Sequence, residues 1–115
     1  MRIYIICPVR KAGSEIDLVS AYVADLESQG HVVHYPPRDV DQTDDGVGLR
    51  ICQHHRDAME KADEVHVWWN PDSTGSHFDF GMAYALHKPV VVVNSPNRTP
   101  NKSYTNILLA VSDGL

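Results

Sequence analysis

The sequence has no long apolar run, no surplus of basic residues and few cysteines, and each absence excludes a class of function. Its 115 residues carry 10 Lys and Arg against 15 Asp and Glu, a formal net charge of −5. Nucleic-acid binding needs a basic face, so we expect no nucleic-acid partner. The apolar stretch in the opening MRIYIICPVR is too short for a signal peptide or a membrane span. We therefore expect no membrane partner and a cytoplasmic location.

Cysteine and histidine patterns give no support to a metal site. Cys7 and Cys52 are far apart and form no C-x-x-C motif. His31 and His34 flank a strand-like Val-Val, and His54 and His55 are adjacent, which on a helix points them about 100° apart, so neither pair offers the ligand spacing of a helix. Neither G-x-x-x-x-G-K-[ST] nor G-x-G-x-x-G is present, which disfavours a P-loop ATPase and a dinucleotide-binding domain. The sequence predicts neither a metal nor another cofactor.

Hydrophobic patterning along the chain predicts a single domain, 1–115, of alternating strands and helices. The predicted strands are 2–7, 31–35, 64–69 and 89–93, and the predicted helices are 14–30, 49–63, 77–87 and a short one within 103–115. Prolines 36 and 37 are expected to end the second strand, and 38–48 is expected to be a polar loop.

Alternating Val- and Ile-rich strands with helices is typical of a parallel sheet covered on both faces. We therefore predict a three-layer α/β/α sandwich, flavodoxin- or Rossmann-like, with four to five parallel strands. Right-handed connections give the strand order 2-1-3-4. The direction in which the chain adds strands to the sheet therefore reverses between strands one and three. Ligands of such sheets bind beyond the carboxyl ends of the strands at this switch point, where the loops 8–14 and 70–76 meet.

The loop 70–76 leads into a predicted helix N-terminus, which favours an anion. Ser73, Gly75 and Ser76 offer backbone and hydroxyl donors to a phosphate, and Arg10 of the other loop offers a guanidinium clamp. The alternative is a plain turn with a helix cap. The loop alone does not decide between these two interpretations.

Asp79 stands inside the first turn of the predicted helix 77–87 and also has two interpretations. Ser76-x-x-Asp79 is a capping box with Asp in place of Glu, and a cap contributes about 0.5–2 kcal/mol. Alternatively the carboxylate is a nucleophile that acts through an oxocarbenium-like transition state. The helix is apolar nearly all round, which indicates either a tightly covered core helix or the interface of a homodimer.

Several motifs together resemble the nucleoside 2-deoxyribosyltransferase family, most closely its 2′-deoxynucleoside 5′-monophosphate N-hydrolase branch. The most specific block runs from Ser73-Thr74-Gly75 through Asp79-Phe80-Gly81 to Lys88-Pro89 and a run of valines. Ala62-Asp63 precedes the strand EVHVWW, and the opening IYIICPVR resembles the first strand of the family. The similarity spans nearly the whole chain.

The resemblance implies an enzyme that cleaves the N-glycosidic bond of a nucleotide or nucleoside. It gives Asp79 the place of the nucleophile and Tyr4 that of the tyrosine that orients it. Arg10 and Ser73 match positions that hold the 5′-phosphate, and Ser103 matches a serine that reaches the phosphate site of a neighbouring subunit. The resemblance thus implies a homodimer acting on a small-molecule substrate.

Some residues depart from the family pattern. Asp79 replaces a glutamate, and His55 stands where the family has an aspartate that helps to protonate the leaving base. Pro8 replaces a phosphate-binding serine. Because a displacement of 1 Å can cost about a hundredfold in rate, a catalytically weak nucleotide-binding or regulatory module is the alternative function. A structural protein in which Asp79 only caps a helix is a third.

Overall fold

The computed structural model describes residues 1–9, 14–43 and 46–112. In chain order the elements are β1 (Arg2–Ile6), α1 (Ser14–Ser28), β2 (Val32–His34), α2 (Pro36–Asp39), α3 (Leu49–Lys61), β3 (Glu64–Val67), α4 (Thr74–Ala85), β4 (Val90–Val92) and α5 (Tyr104–Ser112). The four strands form one parallel sheet in the order β2-β1-β3-β4, which confirms the predicted order.

Apolar side chains fill both faces of the sheet, because successive residues of a strand point to opposite sides. On one face, Ile5 and Val33 pack against Val19 and Val23 of α1. On the other face, β1 and β3 pack against α3, α4 and α5; the large buried members of this cluster include Tyr4, Met59, Trp69, Phe80 and Leu108. The predicted α/β/α sandwich is therefore confirmed. None of the described helices is long and apolar enough to cross a membrane.

Polar links at the ends of the strands determine where the chain leaves the sheet. The Asp63 carboxylate accepts a hydrogen bond from the Arg2 N–H at 2.7 Å, and the Asp63 N–H donates to the Arg2 carbonyl at 2.7 Å. At the other end of β3, the Asn94 side-chain amide accepts from the Trp69 N–H at 2.9 Å and donates to the Trp69 carbonyl at 2.8 Å. The loop 70–76 therefore starts from a fixed point.

Lys88 ties the end of α3 to the segment that leads into β4. Its Nζ donates hydrogen bonds to the carbonyls of Glu60 and Ala62, both at 2.9 Å. The last carbonyls of a helix have no partner within the helix and attract cations. Lys88 of the Lys-Pro pair thus has a structural role, because it closes the C-terminus of α3.

The start of α4 differs from the predicted helix 77–87. The helix begins at Thr74, and the N-cap is Ser73, whose Oγ accepts the Ser76 N–H at 3.3 Å. Ser76 lies inside the helix, so Ser76-x-x-Asp79 forms no capping box, and that interpretation is wrong. Asp79 lies in the second turn, where a carboxylate caps nothing.

The segment after β2 also differs from the sequence expectation. Pro36 begins the short helix α2, since proline lacks only an N–H that the first helical turn does not need. The Asp39 carboxylate accepts the Tyr35 N–H at 2.8 Å and closes the start of this helix. The predicted polar loop is therefore shorter than 38–48, and its residues 44 and 45 lie outside the described part of the chain.

Candidate active site

The main cleft lies at the carboxyl ends of β1 and β3, at the switch point predicted from the strand order. It has a volume of about 540 Å³. Its walls come from the segment after β1, from one side of α3, and from the loop 72–76 with the first two turns of α4; they include Cys7, Cys52, His55, Asp72, Ser73, Gly75, Ser76, Phe78 and Asp79. Clefts of about 300–1,000 Å³ accommodate small organic ligands.

Asp79 is held between a tyrosine and a histidine on the wall of this cleft. The Tyr4 hydroxyl donates to Asp79 Oδ2 at 3.4 Å. His55 Nδ1 lies 3.3 Å from Oδ2 and 3.4 Å from Oδ1 of the same carboxylate. The side chains of His55 and Asp79 are 12% and 13% exposed, so both are mostly withdrawn from water. The structure thus brings together the three residues predicted to be catalytic.

Tyr4 reaches Asp79 from inside the sheet, where its side chain is fully buried. Burial, and then the negative charge of Asp79, raises the pKa of Tyr4 far above its usual range. The phenol therefore keeps its proton and acts as a donor. Its ring stacks on that of His34, with centroids 5.3 Å apart, and meets His55 edge-on at 6.2 Å. These two rings fix the direction in which the hydroxyl points.

His55 turns one ring nitrogen toward the carboxylate and keeps the other free. Its Nδ1 faces Asp79, whereas Nε2 is buried and has no hydrogen-bond partner among the described residues. A carboxylate on one imidazole nitrogen selects the tautomer and orients the ring. Asp79 thus fixes the ring of His55 through Nδ1.

The N-terminus of α4 forms the other end of the cleft. Ser73 Oγ donates to Ser76 Oγ at 2.9 Å, and Ser76 is 2% exposed, so the two hydroxyls form a closed pair at the cap. The N–H groups of the first helical turn, at Thr74 and Gly75, have no acceptor within the helix. A Cβ added at Gly75 would meet no heavy atom within 4 Å. This end of the cleft is open to a close approach by an anion.

Arg10 and Ser103 are the two remaining predicted binding residues. Arg10 lies outside the described residues. Ser103 lies outside the cleft and is the N-cap of α5: its Oγ accepts hydrogen bonds from Thr99 Oγ1 at 2.7 Å and from the Asn106 N–H at 3.1 Å. The predicted contributions of both residues to a phosphate site stay predictions.

Several residues of the cleft were missed in the sequence. Burial raises the pKa of the Cys7 thiol to about 12, with a further contribution from Asp79, so this wall is lined by a neutral thiol. Cys7 directly follows β1, and Cys52 is three residues before His55 on α3. A position at the end of a strand and a position on the same helix face as His55 could therefore have predicted that both cysteines line the cleft. Asp72 brings a second carboxylate. In the described part of the chain, no three His, Cys, Asp or Glu side chains form a metal-binding group.

The fold and the cleft define an α/β protein with its ligand site at the switch point of a parallel sheet. The sequence profile of the nucleoside 2-deoxyribosyltransferase family matches residues 3–108, and the chain belongs to this family. Members of the family transfer or hydrolyse at N-glycosidic bonds.

Two solved structures share the fold. A 2-deoxyribosyltransferase from Bacillus psychrosaccharolyticus superposes with a TM-score of 0.73 at 19% identity, over 94% of this chain and 90% of that one. The CMP N-glycosidase BcmB from Clostridium botulinum superposes with a TM-score of 0.65 at 20% identity, over 98% of this chain and 84% of that one. No curated protein matches the sequence significantly.

Proposed function

We propose that this protein cleaves the N-glycosidic bond of 2′-deoxynucleoside 5′-monophosphates, with Asp79 as the nucleophile. The observation that carries the proposal is the position of Asp79, held by the Tyr4 hydroxyl and His55 Nδ1 on the wall of the main cleft. Asp79 caps no helix, and it lines the cleft together with His55. Membership of a family that acts on N-glycosidic bonds supports the same assignment.

In the first step, one oxygen of Asp79 bonds to C1′ while the bond from C1′ to the base breaks. Positive charge develops on the sugar in an oxocarbenium-like transition state, which the neighbouring carboxylate stabilises. Water then displaces Asp79 from C1′ and releases deoxyribose 5-phosphate. Tyr4 keeps one carboxylate oxygen in place throughout, because its proton is held tightly.

The departing base carries away the bonding electron pair and needs a proton. We assign this proton to His55, because its ring lines the cleft beside Asp79 and imidazole is a common general acid. Nδ1 remains on Asp79 during the transfer, so the ring does not have to turn. This is a general-acid role like that of the family's aspartate, carried out by a different side chain.

The phosphate is assigned to the N-terminus of α4, with Ser73, Gly75 and Ser76 around it and Arg10 as its charged partner. Free N–H groups at a helix start bind anions without a charged side chain. Asp72 also lines this part of the cleft and repels a phosphate, so the site requires the guanidinium of Arg10 to offset it. We propose that Ser103 of a second subunit completes the site, as the resemblance implies.

The direct test is to incubate the protein with deoxynucleoside monophosphates and to measure free base by chromatography. Asp79→Ala should abolish base release and leave the fold intact, as judged by circular dichroism. Asp17→Asn, an exposed carboxylate on the opposite face of the sheet, is the matched control and should keep full activity. Full activity of Asp79→Ala would refute the assignment of the nucleophile.

A separate experiment tests the phosphate. Arg10→Ala should weaken binding of deoxynucleoside monophosphates by about 1.5–3 kcal/mol, the range for hydrogen bonds to charged groups. It should leave binding of the matching nucleosides nearly unchanged, since these have no phosphate to lose. Equal weakening of both ligands, or of neither, would place the phosphate elsewhere and refute the nucleotide preference.

A catalytically weak nucleotide-binding module is the second candidate function. Two observations favour it. The side chain of Asp79 is shorter than the glutamate of the family, and its contacts with Tyr4 and His55, at 3.3–3.4 Å, are long for charge-assisted hydrogen bonds. Asp79→Glu distinguishes the two candidates. If the longer side chain creates activity where the native protein has none, the native protein is a binder; if it lowers an existing activity, Asp79 is the working nucleophile.

We further propose that α4 forms the interface of a homodimer. Within one chain, Phe78 and Tyr84 of this helix are 62% and 61% exposed, and a Cβ added at Gly81 would meet nothing within 4 Å. Gly81→Arg should convert a dimer to a monomer in light scattering, whereas Ala24→Arg on the exposed side of α1 should not. A native protein that is monomeric at micromolar concentration would exclude the dimer.

A further inference from the structure

A second cleft lies between β2 and the last turns of α3, on the side of Tyr4 that faces away from Asp79. It has a volume of about 410 Å³. Its apolar side chains are Val32, Ala58 and Ala62, whereas Ile3 and Val33 turn their side chains to the α1 face of the sheet and leave their backbone toward the cleft. The polar groups around this surface belong to Arg2, Lys61, His34, His54 and Asp57. The cleft therefore combines an apolar floor with a charged rim.

The charges on this rim are mostly positive, although the whole chain is acidic with a net charge of −5. In the described part of the chain, neither the Arg2 guanidinium nor the Lys61 ammonium has a carboxylate within salt-bridge distance. The single carboxylate of the rim, Asp57, lies 3.6 Å from Nε of Arg56, which partly balances it. Two cations without ion pairs beside one compensated carboxylate attract an anion.

His34 connects this cleft to the catalytic tyrosine. Its ring lines the cleft and stacks on Tyr4 at a centroid distance of 5.3 Å. Its Nε2 is buried without a hydrogen-bond partner among the described residues. Burial lowers the pKa of His34, so the ring is neutral at pH 7 and the positive charge of the cleft comes from Arg2 and Lys61.

We propose that this cleft is a second ligand site, distinct from the catalytic cleft, for a small organic anion. The anionic group, a phosphate or a carboxylate, binds between Arg2 and Lys61, and an apolar or aromatic body lies on Val32, Ala58 and Ala62. A ligand bound there is separated from Tyr4 only by the ring of His34. This site does not depend on the proposed catalytic reaction.

Phenyl phosphate is a suitable probe, because it joins a flat apolar body to a dianion. Titration followed by the ring-proton NMR signals of His34 should show saturable binding to the native protein. Arg2→Ala and Lys61→Ala should each weaken this binding about tenfold, as expected for loss of a charge-assisted contact. Lys102→Ala, an exposed cation elsewhere, and Arg10→Ala, the residue proposed to bind the phosphate of the catalytic cleft, should leave it unchanged.

A gain-of-binding variant guards against effects of misfolding. Asp57→Asn removes the carboxylate of the rim and should tighten phenyl phosphate binding severalfold. Glu60→Gln is its matched control: Glu60 pairs with the same Arg56, at 3.7 Å, but does not line the cleft, so its binding should stay close to native.

Three results would overturn the proposal. The first is the absence of saturable binding at millimolar probe, and the second is binding that neither Arg2→Ala nor Lys61→Ala weakens. The third is loss of binding in Arg10→Ala, which would place the probe in the catalytic cleft. Tightening by Asp57→Asn without an equal effect of Glu60→Gln would support it.

Discussion

Replacing Tyr4 with phenylalanine removes one oxygen atom from the centre of the proposed mechanism. That hydroxyl donates to Asp79 Oδ2, and the ring is otherwise fully buried among side chains that the substitution leaves in place. Hydrogen bonds to charged groups contribute about 1.5–3 kcal/mol, and at 3.4 Å this one belongs at the lower limit. We therefore expect kcat/KM for base release to fall about 10- to 30-fold.

The stability of Tyr4→Phe should change little, because Asp79 keeps His55 as its partner. Tyr22→Phe is the matched control. It removes a hydroxyl that lies 2.5 Å from His66 Nδ1 on the α1 side of the sheet, remote from the cleft. This control should lose about 1 kcal/mol of unfolding free energy and keep its activity.

Rates of base release are measured by chromatography, and free energies of unfolding by urea titration. Native activity of Tyr4→Phe would refute the view that this hydroxyl orients the nucleophile. An equal loss of activity in Tyr22→Phe would show that the assay reports general damage to the sheet rather than the contact with Asp79.

Three further predictions follow from single contacts. His87 has a φ of 57°, a left-handed conformation that favours glycine, so His87→Gly should raise the free energy of unfolding by about 0.5–1 kcal/mol. Gly30 has a φ of 92°, so Gly30→Ala should lower the free energy of unfolding by about 1–2 kcal/mol. Equal effects of the two substitutions in urea titrations would contradict this reasoning. Because burial raises the pKa of Cys7 to about 12, its thiol should react slowly with iodoacetamide at pH 8, and Cys52 should be labelled first. Mass spectrometry measures the two rates, and faster labelling of Cys7 would refute the view that its thiol stays protonated. Thr105→Val removes the hydroxyl that accepts the buried indole N–H of Trp69 at 2.9 Å, so it should lower the free energy of unfolding by about 1–3 kcal/mol. An unchanged melting temperature would contradict this prediction.

The strand order could be predicted from the sequence because each buried parallel strand is a continuous apolar run between helices with clear periodicity. The strand ends were less accessible. The predicted strand 64–69 stops at Val67, since the Trp68 N–H still bonds to Ile6 of β1 but the Trp69 N–H bonds to the side chain of Asn94. Asn94 lies 25 positions from Trp69, and its side chain takes the place of a neighbouring strand as hydrogen-bond partner. No local sequence pattern marks such a distant contact.

The start of α4 shows a different limit. Ser73 and Ser76 are equally good N-cap residues by type, and each is followed by a residue pattern that fits a helix start. The structure uses Ser73, with Ser76 buried behind it. That choice moves Asp79 from the first to the second turn. Local propensity therefore could not separate a cap from a candidate nucleophile, whereas three-dimensional packing does.

The candidate site was predicted best where residues follow the ends of strands or lie on the family motif. Asp79, Tyr4 and His55 were predicted together and are found together. His34 and Cys7 were not assigned a place beside them, because a stacked ring and a thiol wall depend on the register between neighbouring strands. In the structure Tyr4 pairs with His34 across β1 and β2, which puts the two rings on the same face.

Because Lys88 contacts the end of α3, the number of residues in α4 determines how the side chains of the candidate site face each other. His55 lies on α3 and Asp79 on α4, and Lys88 joins the far ends of both helices. A helix turns about 100° and rises about 1.5 Å per residue, so the count from this joint sets the direction of each side chain. Deleting one residue between Asp79 and Lys88 would turn the carboxylate away from His55 although every residue type in the cleft remained. The number of residues between Asp79 and Lys88 is therefore as important for this pair as the identity of its two side chains.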